Sequence, residues 1–480
     1  HRSDLVENLQ SEGLYYVDLL DAGDLASDPI NTEDIWVSFD FSGRDLSGNI
    51  ILTRNADDAV LAGSFSKYTH YVPFYRYCGS ENSGLMEGTW LAMRRTLTLG
   101  DTYFRNNKDR LGITSPEVTL RYGSKIRLYM PSSVVGNGVE GTGGYEGQEG
   151  YSLSSKRPFI VTMEIRDTVS NPLEREGTDV DDFCELNGGL QIYSKGDDDT
   201  PATEVPEDPE DPEHPYNETS KRWVSACDSI PQVYVNVRYN PAEPRDQLSF
   251  PAPYHVGYEP YVSEASVRDI DMQIAEALKK RFHGEGDDYQ KYEGVKALEA
   301  DSVTLDGTAK IWYIGRFLDG FIFDTNIDEV KKIIYGEVAQ KGTALDYTPS
   351  SGGMIQAFYY TIPNLKFGQW AELITTSTNA YGSSGKSGSS SSSTSGSSGY
   401  SSSYLDYLNY LNYANSYYGS GGYYGGYYGG YYGNYYGGYY DSMYGYGYDS
   451  SSTGTTVTTI TTEIPSFTPL IFQLYIEPED

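Results

Sequence analysis

One carboxylate placed among aromatic residues is the clearest chemical feature of this sequence. The stretch "AKIWYIGRFLDGFIFDTN", residues 309–326, predicts a strand, a tight turn and a second strand, and Asp324 directly follows Phe323. An acid at this position has two interpretations, and the spacing leaves both open. Asp324 either caps the end of the strand, or it lies at the rim of an apolar pocket and contacts whatever binds there.

The other residue types that do chemistry are not grouped in ways that predict catalysis or metal binding. The 5 histidines are scattered without HxxxH or HExxH spacing, and the 3 cysteines include no CxxC pair. An odd number of cysteines excludes a closed disulfide framework, although one bridge between Cys184 and Cys227 stays open. The aspartate runs lack the spacing of a calcium loop. We therefore predict no metal site and no cofactor.

A glycine-rich segment raises the question of nucleotide binding. The letters "GNGVEG" at 136–141 match the GxGxxG pattern of a dinucleotide site. Such a site needs a helix that begins directly after the glycines, so that its N-terminus faces the pyrophosphate. Here "TGGYEGQEGYS" follows, and it predicts no helix. The sequence thus argues against a nucleotide site.

Charge and hydropathy exclude other classes of partner. The chain has 480 residues, a formal net charge of -33 and a pI of about 4.4, which argues against nucleic acid or an anionic membrane as a partner. No apolar run reaches the ~18 residues needed to cross a bilayer, so we predict no transmembrane segment. Because the first residue is His1 rather than Met, we expect a processed or trimmed chain whose targeting signal lies upstream.

Strand and helix patterns divide the chain into two folded parts, both of the α+β class. Alternating runs such as "IWVSFDFSG" and "KRPFIVTMEI" predict strands in the first part, and "VYVNVRY" predicts one in the second. Apolar residues at helical spacing predict a helix over 263–282. The acidic, proline-rich run "EVPEDPEDPEHP" predicts an extended linker. We place the first part at 1–170, the linker at 171–220 and the second part at 221–480.

A low-complexity block at about 383–463 interrupts the second part. It begins with Ser and Gly and continues as "YYGGYYGGYYGNYYGGYY", with 20 of the 47 tyrosines between Tyr400 and Tyr448. This much glycine prevents an ordinary core, while tyrosine offers a rigid surface that forms hydrogen bonds. Two interpretations stay open: a disordered or self-stacked loop, and an adhesive docking surface.

Three motifs of the second part occur in the order typical of one known family. Residues 309–326 contain Tyr-x-Gly, an Asp-Gly turn and Phe-Asp. The stretch "MIQAFYYTIPNLKFGQWAELITTSTNAYG" at 354–382 contains a short helix, a Gly-Gln strand and an Ala-Tyr-Gly loop, and "IPSFTPLIFQLYIEPED" follows from 464. Together they resemble the FKBP-type peptidyl-prolyl cis-trans isomerases. The resemblance implies a twisted antiparallel sheet wrapped around a short α-helix.

The resemblance also implies an apolar pocket for a proline-containing polypeptide. Phe358 stands where the family has a tryptophan on the pocket floor, and the family's arginine after Phe-Asp has no counterpart in "TNIDEVKK". The tyrosine-rich block lies in the loop that overhangs the pocket in the family. Carried over to this sequence, the catalytic residues are Tyr313, Phe323, Asp324, Phe358, Tyr381 and Phe472, and the substrate-binding residues are Met354, Ile355 and Ile464.

A fainter version of the same pattern lies in the first part. "FDFSGRDLSG" is similar to the opening strand and turn, "LMEGTW" at 85–90 to the helix, and "RPFIVTMEI" to the last strand. Ile51 and Leu52 replace Phe-Asp, and Val135 replaces the loop tyrosine. Trp90 stands one residue away from the family's tryptophan. We therefore expect two tandem FKBP-like domains, of which the first has lost the polar pocket.

Two functions follow as expectations. The first is a peptidyl-prolyl cis-trans isomerase or folding factor that acts through its second domain on X-Pro bonds of envelope or secreted proteins. The alternative is a non-catalytic lipoprotein subunit, docked by both domains and the tyrosine-rich block in an outer-membrane protein complex. For either function we expect the cell envelope of a Gram-negative bacterium and an outer-membrane anchor.

Overall fold

A computed structural model describes two compact units of the chain. The described residues up to Arg175 belong to the first unit, and those from Glu176 onward belong to the second. The described ranges are 6–8, 15–32, 34–63, 69–81, 85–135, 157–187, 190–191, 223–227, 229–236, 264–283, 301–335, 342–386, 389–393 and 457–478. The proline-rich run of the predicted linker and residues 394–456 of the tyrosine-rich block lie outside these ranges.

Alternating apolar and polar residues form the strands of the first unit. The strands are β1 (Val6–Asn8), β2 (Tyr15–Ala22), β3 (Ile35–Arg44), β4 (Ile50–Thr53), β5 (Phe74–Cys78), β6 (Leu97–Thr98), β7 (Glu117–Val118), β8 (Ser124–Met130) and β9 (Phe159–Val169). The helices are α1 (Ala56–Ala62), α2 (Glu87–Arg94) and α3 (Asp101–Leu111). The main sheet has the order β1-β2-β8-β9-β3-β4, with β5 also paired to β3, and every pair is antiparallel.

The sheet of the first unit has one core face. In β8, which has the sequence "SKIRLYM", every second side chain is buried and the others are half-buried. Leu128 and Val161 face a core that also includes Leu91 and Met93 of α2. The short helix α2 therefore packs against one side of the antiparallel sheet, as the predicted α+β fold requires.

The second unit contains the remaining elements. Its strands are β10 (Leu190–Gln191), β11 (Trp223–Ser225), β12 (Val233–Asn236), β13 (Ala309–Arg316), β14 (Ile322–Thr325), β15 (Leu345–Tyr347), β16 (Trp370–Thr375), β17 (Ser389–Ser393), β18 (Val457–Thr461) and β19 (Leu470–Ile476). Its helices are α4 (Pro172–Leu186), whose first four residues belong to the first unit, α5 (Glu264–Leu278), α6 (Asp328–Tyr335) and α7 (Gln356–Thr361). The sheet has the order β10-β11-β12-β16-β19-β13-β14, with β15 also paired to β13, and β17 with β18 forms a separate antiparallel ribbon.

Both faces of the second sheet are buried. In β19, which has the sequence "LIFQLYI", all seven side chains are buried. Phe472 and Leu474 belong to one apolar cluster, and Ile471 and Tyr475 belong to a second cluster that includes residues of α4 and α5. Because each face packs against apolar side chains, β19 lacks the alternation seen in β8.

The two units repeat one strand order. The order β2-β8-β9-β3-β4 of the first unit matches β12-β16-β19-β13-β14 of the second. The register matches as well, since Gly43 pairs with Leu52 and Gly315 pairs with Asp324, and each pairing is followed by a bulge. The antiparallel α+β class predicted from the sequence is therefore confirmed, with one parallel pair, β10 with β11, that the sequence did not predict.

The predicted helix over 263–282 is confirmed, and the predicted linker needs a correction. Helix α5 continues as one π-helical turn at Lys279–His283. Residues 172–186, assigned above to the linker, form α4 instead. Val180 and Phe183, three residues apart, lie on one face of α4 and are fully buried in the second unit. This buried stripe stabilises a helix although the flanking sequence is acidic.

The described residues also bear on the possible disulfide bridge and on membrane-spanning helices. Cys78, Cys184 and Cys227 are free thiols, so the bridge left open between Cys184 and Cys227 is not formed. Cys184 lies within the apolar cluster under α4, and burial raises its pKa well above the ordinary value. No helix in the described ranges is both long enough and apolar enough to cross a membrane.

Candidate functional site

The hairpin of β13 and β14 places Tyr313 beside Asp324. The Tyr313 hydroxyl donates a hydrogen bond of 2.8 Å to Oδ2 of Asp324. Both side chains are half-buried, so the pair lies at the surface end of an apolar cluster. The Asp324 carboxylate is thus held by a tyrosine, and among the described residues no backbone N–H at the strand end donates to it. This geometry disfavours the interpretation of Asp324 as a strand cap.

Asn326 fixes the strand that carries Tyr313. Its Oδ1 accepts a 2.8 Å hydrogen bond from the backbone N–H of Tyr313, and its Nδ2 donates to the carbonyl oxygen of Ile311 at 2.9 Å. Thr325 Oγ1 donates to the carbonyl oxygen of Tyr313 at 2.7 Å. Two neutral side chains of β14 and the residue after it thus fix the backbone on both sides of Tyr313. Asn326 is not among the residues predicted from the sequence, although asparagine commonly bonds nearby backbone groups.

Gly315 leaves room for the ring of Phe323. A Cβ on Gly315 would lie only 2.6 Å from Cζ of Phe323, so a larger residue would displace the ring. Phe323 is 6% exposed, and its ring centroid lies 5.7 Å from that of Phe472 in an edge-to-face arrangement. Close packing against the ring of Phe323 therefore explains why the Tyr-x-Gly motif has a glycine at this position.

Phe472 is the centre of an aromatic cluster. Its ring centroid lies 5.1 Å from Phe358 and 6.3 Å from Tyr313, again edge to face. These distances are within the range at which aromatic rings attract one another through their quadrupoles. Strand β19 sets the position, because Phe472 pairs with Gly315 on one side and Leu373 on the other.

Helix α7 supplies the floor of the cluster. Phe358 is fully buried, and its N–H donates to the carbonyl oxygen of Ile355 at the start of the helix. Ile355 is 8% exposed and Met354 is half-buried, so both lie at the edge of the same cluster. The helix is short because Pro363 follows within a 3-10 turn. The side chain of Phe358 thus enters the core, while Met354 and Ile355, just before the helix, lie near the surface.

The last two predicted residues lie at the ends of the insertion. Tyr381 is half-buried against the cluster, and the Nζ atom of Lys386 lies 5.4 Å from its ring centroid. Lys386 and Ile464 exchange two backbone hydrogen bonds of 2.8 Å, and the Phe467 N–H donates to the carbonyl oxygen of Gly382. The two ends of the insertion therefore meet at the candidate site, and ribbon β17–β18 continues from that point.

Burial sets the protonation of the rim tyrosines. Burial raises the pKa of Tyr313 far above its ordinary value, and the negative charge and hydrogen bond of Asp324 raise it further. Burial and then Asp324 raise the pKa of Tyr381 as well. Both hydroxyls therefore stay protonated at neutral pH and can donate hydrogen bonds.

The structure brings all nine predicted residues together. Eight of them belong to one apolar cluster or pack against it, and Asp324 bonds to Tyr313 within the same group. We call this group the candidate site; it consists of Tyr313, Phe323, Asp324, Met354, Ile355, Phe358, Tyr381, Ile464 and Phe472. Trp312, on the same strand, lies instead in the opposite cluster beside Phe282. Tyr347, which the sequence analysis missed, packs edge to face on Phe358 at 6.0 Å.

The candidate site is apolar, with a few polar groups at its edge. Within the described ranges, no group of three or more His, Cys, Asp or Glu residues is placed to hold a metal ion. One carboxylate and two protonated hydroxyls stand at the rim, and the walls are aromatic or aliphatic. Apolar side chains of this kind suit an apolar group, and the Tyr381 hydroxyl can donate a hydrogen bond, whereas the single proton of the Tyr313 hydroxyl is already donated to Asp324.

Comparison with known proteins gives likeness in structure alone. No family model and no curated protein matches the sequence. The structure of the three FKBP domains of wheat FKBP73 aligns with 97% of this chain and 94% of its own, at 9% identity and a TM-score of 0.19. FkpA from Escherichia coli aligns over 34% of this chain and 51% of its own, at 13% identity and a TM-score of 0.20.

A third structure is a peptidyl-prolyl cis-trans isomerase from Pseudomonas syringae pv. tomato. It aligns with 45% of this chain and 92% of its own, at 13% identity and a TM-score of 0.17. All three TM-scores lie below 0.5, so this likeness carries no conclusion about function.

Proposed function

We propose that the second unit is a peptidyl-prolyl cis-trans isomerase that acts on X-Pro bonds of polypeptide clients. One observation carries the proposal: the aromatic cluster around Phe472 ends at a rim where Tyr313 holds Asp324. The walls can take up an apolar proline ring, and the rim can bind the peptide on either side of it. An isomerase of envelope or secreted proteins is the more specific form of the same proposal.

The reaction requires no nucleophile or general base. An X-Pro bond prefers trans by only ~0.5–1 kcal/mol, yet the exchange takes tens to hundreds of seconds. Amide resonance sets the barrier, which is ~18–20 kcal/mol for an ordinary peptide bond. The twisted transition state has lost this conjugation and carries a less polar carbonyl group. A dry aromatic surface therefore favours it over the planar ground state, and about 5 kcal/mol would accelerate the exchange a few thousandfold.

Each group of the candidate site has a proposed part in this reaction. Phe323, Phe358 and Phe472 form the walls and exclude water from the proline ring. The backbone of Ile355 and the hydroxyl of Tyr381 hydrogen-bond the peptide, with Met354 and Ile464 beside it. The Oδ1 atom of Asp324 faces the carbonyl group of the X-Pro bond. The negative charge of the carboxylate acts there on the twisted amide.

Isomer exchange in short X-Pro peptides, measured by NMR exchange spectroscopy with the full chain, tests the proposal. We expect exchange to accelerate with the wild-type chain and to fall at least tenfold with Asp324→Ala. The matched control is Asp346→Ala, an exposed aspartate of the neighbouring strand β15, which should keep wild-type activity. A folded wild-type chain that leaves exchange at the uncatalysed rate would reject the isomerase proposal.

A second candidate function is docking without catalysis. The observation that favours it is the first unit, where the register places Leu52 at the position of Asp324. In this proposal the units and the tyrosine-rich block hold a lipoprotein subunit within an outer-membrane protein complex. An inactive but folded wild-type chain, with Asp324→Ala unchanged in stability, is the outcome that this second function predicts.

A further inference from the structure

A buried carboxylate of α4 contacts the segment that leads to Tyr381. Glu176 is 2% exposed and lies in the first half of α4, a helix that the sequence analysis assigned to a linker. Its Oε2 accepts a 2.7 Å hydrogen bond from Oγ of Ser377, and its Oε1 accepts one from the Ser377 N–H. The carboxylate thus holds Ser377 through the backbone and the side chain together.

Ser377 is the fixed point from which Tyr381 is placed. Strand β16 ends at Thr375, and the Thr376 N–H donates to the carbonyl oxygen of Gln232 at 3.4 Å. One 3-10 turn, Ser377–Asn379, then follows, closed by a 2.8 Å hydrogen bond from the Ala380 N–H to the Ser377 carbonyl oxygen. Tyr381 comes next. Ser377 is 1% exposed, whereas Tyr381 is half-buried at the rim, so the turn runs outward from a buried root.

Helix α4 is itself held in place, so it can serve as a support. Asp181, one turn beyond Glu176, accepts a 2.8 Å hydrogen bond from the hydroxyl of Tyr234 on strand β12. Val180 and Phe183 are fully buried in the cluster on the outer face of the sheet. The position of Glu176 is therefore set by packing and hydrogen bonds that do not involve the Tyr381 segment.

Stability alone does not account for a carboxylate at this site. Burial raises the pKa of Glu176 to about 7, and the hydrogen bonds from Ser377 offset this only in part. Asp179, the nearby acid on the same helix, raises the pKa further. Removing a charge from water is unfavourable, and an apolar or amide side chain is frequently as stable in such a place. The carboxylate instead supplies two acceptor oxygens aimed at one residue, which favours a role in geometry.

We infer that Glu176 is a positioning residue, which fixes the turn at Ser377 and thereby orients the Tyr381 hydroxyl toward the bound peptide. The orientation by Glu176 is a property of the loop, and only its effect on catalysis rests on the proposed isomerase function. The segment 172–186, which the sequence predicts to be part of a linker, thus contributes to the candidate site as α4.

Fluorine NMR of the full chain carrying 3-fluorotyrosine at position 381 tests the orientation directly. Glu176→Ala should shift and broaden the fluorine signal, because the turn loses both of its acceptors. Glu176→Gln should restore it, since the amide oxygen still accepts from the Ser377 N–H and the amide nitrogen donates to Ser377 Oγ. Ser377→Ala keeps the backbone bond and should give a smaller shift. Because this variant removes one hydroxyl only, it also covers the case in which Glu176→Ala does not fold.

Two variants of the same helix separate positioning from general destabilisation. Val180→Ala weakens the packing of α4 and Glu185→Ala removes an exposed acid, and both should leave the fluorine signal at its wild-type position. A wild-type signal in Glu176→Ala, or an equal shift in Val180→Ala, would overturn the inference.

Isomerase kinetics give the second readout. Losing one peptide hydrogen bond should raise KM about fivefold in Glu176→Ala while kcat stays near wild type, and Glu176→Gln should return KM to its wild-type value. A fall in kcat without a change in KM would contradict the assigned role. If the wild-type chain has no activity, the isomerase proposal fails, and the fluorine signals still decide whether Glu176 positions Tyr381.

Discussion

The two units share a strand order and differ in the side chains at one position of the sheet. Where the second unit has Tyr313 and Asp324, the first has Phe41 and Leu52, both buried. The first unit therefore keeps the hairpin and its bulge but has no hydroxyl and no carboxylate to form a rim. The comparison teaches that the fold needs only apolar side chains here. The polar pair of the second unit is then best explained by function.

The two units also differ at the helix residue that forms the floor of the candidate site in the second unit. Thr89 in α2 and Phe358 in α7 occupy matching positions, because each is the third residue of its helix. Thr89 is 1% exposed, and Trp90, next to it, donates from Nε1 to the carbonyl oxygen of Gly79. In the first unit Phe159 fills the centre instead, since a Cβ on Gly43 would lie 2.3 Å from its ring. The ring beside the hairpin glycine thus comes from β9 in the first unit and, through Phe323, from β14 in the second.

The outer faces of the two sheets differ as well. In the first unit, half-buried ion pairs such as Arg166–Asp40 at 2.5 Å cover this face. In the second unit, Arg316 is buried and pairs with Asp271 of α5 at 2.5 Å. Arg316 also donates to Gln473 at 2.9 Å. Helix α5 covers the outer face of the sheet in the second unit, whereas the outer face in the first unit stays in contact with water. Ion pairs of the same kind therefore contribute differently to the free energy of unfolding.

The largest expected effect comes from truncating matched core residues of the two hairpins. Phe323→Ala should cost ~3–5 kcal/mol of stability and abolish isomerase activity, because it removes a wall of the candidate site. Ile51→Ala, at the matching position of the first unit, should cost ~2–5 kcal/mol and leave activity unchanged. Denaturant unfolding and the peptide exchange assay measure both variants. Loss of activity in Ile51→Ala would mean that the first unit is not degenerate.

The next effect compares the two outer faces. Arg316→Ala leaves Asp271 buried without its partner and should cost ~3–5 kcal/mol, while Arg166→Ala should cost ~1 kcal/mol or less. Within the described part of the chain, Asp271 Oδ2 has no hydrogen-bond partner, which makes this site sensitive. Denaturant titration of each variant gives the comparison. Equal costs would show that α5 does not exclude water from the pair.

A substitution that makes the second rim resemble the first should separate activity from stability. Asp324→Leu introduces the residue found at the matching position, Leu52, and should reduce isomer exchange at least tenfold. We expect stability to change by about 1 kcal/mol or less, because a half-buried acid with one neutral partner contributes little. Unfolding of the domain by this change would show that Asp324 is a structural cap, the interpretation that the geometry disfavours.

The buried acids predict how stability depends on pH. Burial raises the pKa of Glu176 from the ordinary value of 4.5 to about 7, so the folded state binds this proton more tightly than the unfolded state. The contribution is present below pH 4.5 and is lost as pH rises toward 7. Glu176→Gln should remove this part of the slope, and Glu185→Gln, an exposed control on α4, should not. Denaturation midpoints between pH 4 and pH 8 measure the difference, and a wild-type slope in Glu176→Gln would contradict it.

The smallest effect on activity should come from shortening the insertion. Replacing residues 394–456 with Asn-Gly should join β17 to β18 through a tight turn and keep the unit folded, because Lys386 and Ile464 already pair. Each halving of a flexible loop relieves about 0.6 kcal/mol of closure entropy, so going from 63 residues to 2, about five halvings, should stabilise the unit by up to about 3 kcal/mol. Isomer exchange should persist or increase, and thermal unfolding should occur at a higher temperature. Loss of exchange in a folded deletion variant would place the tyrosine-rich block in the active site and would reject its role in docking.

The sequence alone determined the site through local motifs and their order. The Tyr-x-Gly and Phe-Asp spacing of one hairpin, the residues of α7, the Ala-Tyr-Gly loop and the last strand resemble the FKBP-type pattern, and that resemblance implies nine residues that the structure places together. Alternation and helical spacing are local properties, since each depends on neighbours within a few positions.

Only the tertiary structure decided which polar side chains meet and which segments support the site. Glu176 and Ser377 are 201 residues apart, and Arg316 and Asp271 are 45 apart, so no local pattern joins them. An acidic segment after β9 looked like a linker because its charge exceeds its apolar content. Two buried residues on one face of α4 were enough to make it a helix once the second sheet was there to receive them. The free energy of that burial depends on the folded partner, and the isolated segment does not have one.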